Sequence, residues 1–128
     1  MFLRFVTPQL HPESRNQRGV FSAAFDLLRG NELSDEEEEQ LRETLDWFSE
    51  NLPSPDHPSI TVRAVFWFKS EAKECIEKMW QLCNLLRAHG VAVELQTCRR
   101  LLNIAYNDRF QVAAYPHERD DRIICKQI

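Results

Sequence analysis

The stretch from Ile60 to Thr97 constrains this chain more than any other. Ile60 to Phe68 is a run of β-branched and aromatic residues with bulky groups on both faces at its C-terminal end. Such a run fits a central strand covered on both sides. Glu71 to His89 follows, with Ala72, Cys75, Ile76, Met79, Leu82, Cys83 and Leu86 spaced as the inner stripe of a helix. Gly90 ends it, and Val91 to Thr97 alternates again, Val91, Val93 and Leu95 against Ala92, Glu94 and Gln96. Strand, helix and strand with tight joints predict a right-handed βαβ unit whose two strands run parallel.

The flanking segments add to this unit. Phe2 to Thr7 reads as a first strand, with Phe2, Arg4 and Val6 on one face and Leu3 and Phe5 on the other. Pro8 and Pro12 bar its continuation through the polar connection to Glu13. Arg15 to Arg29 reads as a helix on the stripe Val20, Phe21, Ala24, Leu27 and Leu28, with Gly30 where a left-handed terminating residue belongs. A second helix opens on Ser34 and Glu37, a capping box, and its carboxylates from Asp35 to Glu39 suit the positive end of the dipole. Leu41, Leu45, Phe48 and Leu52 form its buried side, and Pro53, Pro55 and Pro58 end it. Leu102 to Tyr106 and Arg109 to Tyr115 bracket Asn107-Asp108, a two-residue hairpin turn. Pro116 closes the hairpin, and Ile123-Ile124-Cys125 stays open between a short strand and docking on the core.

The expected fold is therefore α+β, a mixed five-stranded sheet with three helices in the order β-α-α-β-α-β-β(-β), containing one βαβ unit and a C-terminal β-hairpin. Residues 1–116 form the single domain and 117–128 a charged C-terminal tail.

Several segments carry a likeness. They are Met1-Phe2-Leu3-Arg4-Phe5-Val6-Thr7-Pro8, Leu33-Ser34-Asp35-Glu36-Glu37-Glu38 with Leu45-Asp46-Trp47-Phe48, Trp67-Phe68-Lys69-Ser70-Glu71-Ala72, and Ile104 to Ala114. In these the chain resembles a family of small, uncharacterised bacterial proteins, over nearly its whole length to Pro116. Leu101-Leu102-Asn103 stands where that family's pattern has a Pro-Gly pair before the last hairpin. The resemblance implies the layout and carries no activity.

Charge and spacing thin out the functions. The net charge is −4 and the longest basic run is Arg99-Arg100. Nucleic-acid binding is not expected without a basic stripe, unless the fold gathers Arg4, Arg63, Arg99 and Arg109 on one face. No run approaches the ~18 apolar residues of a membrane helix, and the N-terminal apolar run is too short for a signal peptide. A cytoplasmic location without membrane contact is the expectation. Cys75, Cys83, Cys98 and Cys125 match no redox or zinc spacing and read as structural thiols. His11, His57, His89 and His117 are dispersed, and three isolated glycines build no phosphate loop. Cys98 follows a strand, but the sequence shows no base to activate it. The polar cluster Pro116 to Asp121 reads as a solvated tail. No catalytic residue, cofactor or metal ligand is assigned, and the reading leans away from an enzyme.

The aromatics Trp47, Phe48, Phe66, Trp67, Phe68 and Trp80 remain. In a strand Trp67 points away from Phe66 and Phe68, and Trp47 and Trp80 lie beside their helical stripes. They form either a two-sided core or an apolar surface patch. The patch makes Trp47, Trp67 and Trp80 an interaction surface for a protein partner or a second copy. The expected function is thus a small non-catalytic interaction or accessory domain. The alternative is a small enzyme or ligand-binding domain, with its site at the C-terminal strand ends near Lys69, Ser70 and Cys98.

Overall fold

The alternating N-terminal segment becomes the strand around which the sheet is organised. The computed structural model describes residues 1–10, 17–56, 58, 60–61, 63–121 and 123–128. The connection through Glu13, the helix start at Arg15, and His11, His57 and Arg122 lie outside them. The elements are β1 (Phe2–Leu10), β2 (Gln17–Gly19), α1 (Val20–Arg29), α2 (Asp35–Asn51), β3 (Val65–Lys69), α3 (Lys73–Ala88), β4 (Glu94–Cys98), β5 (Ile104–Asn107), β6 (Gln111–Ala114) and β7 (Ile124–Gln127).

Six strands run in the order β5-β6-β3-β1-β4-β7, and β2 adds to β1 beside this row. All neighbouring strands are antiparallel. This corrects the mixed five-stranded sheet. The strands of the expected βαβ unit, β3 and β4, do run parallel to each other, but β1 is inserted between them and is antiparallel to both. A split unit of this kind lets the antiparallel β1 bond on both edges. The central strand also starts later than Ile60. Ala64 N–H donates to the Thr61 carbonyl at 3.0 Å, a turn that delays extended pairing until Val65.

The helices occupy one face. Phe5 and Phe68 on that face join Val20, Ala24, Leu41, Leu45, Phe48, Met79, Leu82 and Leu86 in the main core. The capping box forms as expected: Ser34 Oγ accepts from Glu37 N–H at 3.2 Å, and Glu37 Oε1 from Ser34 N–H at 3.1 Å. α1 begins at Val20 because Gln17–Gly19 pairs with β1 instead of coiling. Gly30 keeps a right-handed φ of −77°, and Asn31 (φ 56°) takes the left-handed position. Gly90 (φ 81°) terminates α3 as a left-handed residue. On the opposite face Val65, Trp67, Cys98, Leu101, Val112 and Ala114 form a second, smaller core with Phe2.

The C-terminal hairpin has a longer turn than Asn107-Asp108 alone. Asp108 to Phe110 separate β5 from β6, and neither Asn107 nor Asp108 has the positive φ of a two-residue hairpin turn. The Asp108 side chain shapes the turn: Oδ1 accepts from Phe110 N–H at 2.8 Å and Gln111 N–H at 3.0 Å, Oδ2 from the Tyr106 hydroxyl at 2.9 Å. Residues 117–128 do more than trail in solvent. Asp120 accepts from Leu102 and His117 N–H groups, Asp121 N–H donates to the Arg100 carbonyl, and β7 pairs with β4.

Candidate functional site

The sheet forks at Arg4. Val6 pairs with Glu94 of β4 and also with Gly19 of β2. A strand has one neighbour on each edge, so β2 lies on the edge away from β4, which is the edge β3 uses. β3 takes Phe2 and Leu3, while β2 pairs from Val6 onward. Between them Arg4 and Phe5 pair with β4 on one side and face a gap on the other. The gap follows from the chain path: directly after Gly19 it must leave the sheet and bury Val20 and Ala24 beneath the helices.

The gap opens into a cleft of about 920 Å³. Phe5, Phe48, Phe68 and Met79 line its depth and are buried. Phe25 of α1 and Phe66 of β3 line it too, at 44% and 39% exposure. A smaller cavity of about 370 Å³ is shared with the opposite face of the sheet, lined by Gln96, Leu101, Ala114 and Tyr115 among others. Arg4, Gln17, Val65 and Trp67 line both cavities. Arg4 thus belongs to the wall that the two cavities have in common.

Arg4 is held by neutral oxygens. Its guanidinium donates to Gln96 Oε1 at 3.3 Å and to the Gln17 carbonyl at 2.6 Å. Gln96 is itself buried and its side-chain amide donates to Gln17 Oε1, while Gln17 Nε2 donates to Glu94 Oε2 at 3.1 Å. No ion pair joins Arg4 to any carboxylate among the described residues. Burial pushes the guanidinium well down from its ordinary value, to about 10, against a smaller opposing pull from Cys125. It stays charged at neutral pH. Arg4 is half-buried, and drawing a cation out of water is costly unless an anion compensates it; among the described residues no carboxylate forms an ion pair with it.

The tryptophans do not gather on one surface. Trp67 is 4% exposed and belongs to the core opposite the helices, where it forms a wall of the cleft. Trp47 and Trp80 are half-buried on the helical side. Trp80 meets Phe5 edge-on at 5.2 Å, Trp47 meets Phe48 edge-on at 5.1 Å, and the Lys78 ammonium lies 5.8 Å from the Trp47 ring. Lys69 and Cys98 flank Phe2 from opposite edges, with β1 between them, and Ser70 N–H donates to the Met1 carbonyl. Their side chains are already engaged. Lys69 donates to the Asp108 carbonyl, Ser70 to Glu71, and Cys98 to the carbonyls of Arg100 and Asp121. Burial raises the Cys98 thiol, and Asp120 and Asp121 add to the rise, the reverse of an activated nucleophile. None of the three lines either cavity of the fork.

The sequence places Arg4 on the Phe2–Val6 face and offers it only as one of four arginines that a nucleic-acid surface would need, not as a cleft residue. The available signal was a lone charge between two apolar residues on one strand face. Elsewhere, among the described residues, no three His, Cys, Asp or Glu side chains converge as a metal site. Nor is any described helix long and apolar enough to cross a membrane. Searches of protein-family models, curated proteins and solved structures find no match to this chain.

Proposed function

We propose that this domain binds a small, largely apolar molecule in the fork between β1 and β3. The observation that carries the reading is the cleft itself, about 920 Å³ deep in aromatic and aliphatic side chains. Ligand sites are typically clefts of about 300–1,000 Å³ with apolar walls and a few convergent polar groups. Here Arg4, Gln17 and Gln111 are among the polar groups that line it. The exposure of Phe25 and Phe66 supports the same reading, because an occupant would cover both. A protein-interaction role would instead draw on Trp47 and Trp80, the two tryptophans that keep surface exposure.

The test uses Trp67 as the reporter, since it alone of the three tryptophans lines the cleft. The Trp47→Phe/Trp80→Phe double variant is titrated with decanol, a neutral apolar probe, and its fluorescence followed. A saturable change with one site per chain supports the cleft. A linear, unsaturable response removes it.

A further inference from the structure

We infer that the ligand is an amphipathic carboxylic acid whose carboxylate sits on Arg4 while its apolar body lies against Phe48, Phe68 and Met79. The inference rests on the cleft reading and adds the chemical class. Its basis is the mismatch between Arg4 and the walls of the cleft. Phe5, Phe48, Phe68 and Met79 in its walls are apolar and buried, yet a half-buried cation lines the same cleft with two neutral acceptors among the described residues. A guanidinium has more donors than these two bonds use, arranged in a planar fork that matches a carboxylate. A neutral ligand would leave that charge as uncompensated as the protein's own groups do.

Two features favour a carboxylate over a phosphate monoester. Among the described residues Arg4 is the one basic side chain lining either cavity of the fork. A single positive charge balances a monoanion and leaves a dianion with charge to spare. The amide groups beside it are also committed: Gln96 donates to Gln17, and Gln17 to Glu94. Glu94 is therefore turned to its own donor, Glu50, which also lines the cleft, is exposed on α2, and Asp120, which lines the smaller cavity, accepts from the Leu102 and His117 N–H groups. The network fixes Arg4 in place without neutralising it, as a preorganised binding group requires.

The experiment compares decanoate, decanol and decyl phosphate by calorimetric titration of the full chain at pH 8, then repeats decanoate and decanol with Arg4→Gln. Decanoate should bind the unmodified protein at least about tenfold more tightly than decanol, since a charge-assisted bidentate pair is the strong class of hydrogen bond. Arg4→Gln should abolish that difference. If decanol and decanoate bind the unmodified protein equally, the acid assignment fails while the cleft stands. If decyl phosphate binds more tightly than decanoate, the carboxylate assignment fails. If none of the three binds, both the inference and the cleft reading fall. The comparison on the unmodified protein decides the matter even if Arg4→Gln does not fold.

Discussion

Replacing Arg4 by Met separates a structural arginine from one held for a ligand. The fall of its guanidinium from its ordinary value to about 10 corresponds to roughly 3 kcal/mol of disfavoured charge, at about 1.4 kcal/mol per tenfold change in acidity. Met removes that cost and keeps an apolar stem of similar length. It also removes the bonds to Gln96 and the Gln17 carbonyl, worth about 1.5 kcal/mol each as hydrogen bonds from a charged donor. The opposing effects nearly cancel, so the ligand-free variant should lie within about 1 kcal/mol of the parent. An arginine serving a buried ion pair behaves differently, because breaking such a pair costs about 3–5 kcal/mol. Urea unfolding resolves the two cases: with a slope of about 1–3 kcal/mol per molar, the midpoint should move by less than about 1 M at constant slope. A loss of 3 kcal/mol or more would refute the reasoning and make Arg4 a structural residue.

Other perturbations follow from the same geometry. Asp108→Ala removes the acceptor for Phe110, Gln111 and Tyr106 and should cost about 1–3 kcal/mol in urea unfolding. Partial burial pushes the Asp108 carboxyl up, but those donors outweigh it and hold it below its ordinary value. Glu37 is also lowered, first by the Ser34 N–H and then by the His89 side chain. Carboxyls lowered in this way give stability that is complete above their unfolded values and lost as pH falls through their folded ones. The gap between Asp108→Ala and the parent should therefore shrink in acid, below about pH 4, and a gap constant down to full protonation would contradict this. Ser34→Ala deletes half of the capping box and should lower stability by about 1 kcal/mol in thermal unfolding. An unchanged melting temperature would show that α2 does not depend on its cap.

Much of the layout was legible because local chemistry decides it. The Ser34–Glu37 box and the stripe Leu41, Leu45, Phe48 define α2 from neighbouring residues alone. The alternation of Phe2, Arg4 and Val6 against Leu3 and Phe5 likewise defines β1. What failed depended on partners distant in sequence. Val20 to Leu28 has the right helical stripe, but pairing of Gln17–Gly19 with β1 decides where the helix begins. Strand and helix spacing showed β3 and β4 parallel without showing β1 between them. The fork was invisible for the same reason, since it arises where β2 and β3 compete for one edge of β1. Trp67 shows the limit at a single residue. Its strand face was legible, but the cover over that face comes from Leu101, which no local pattern links to it.

The central claim is that the fork is a binding site, and intermolecular nuclear Overhauser effects from a bound ten-carbon probe test it most directly. With isotope-labelled protein and unlabelled decanoate, cross-peaks should connect the alkyl chain to the Met79 methyl, the Phe48 ring and the Trp67 indole, all of which line the cleft. Cross-peaks confined to Trp47 and Trp80, which do not line it, would place the probe on the outer helical surface and contradict the account.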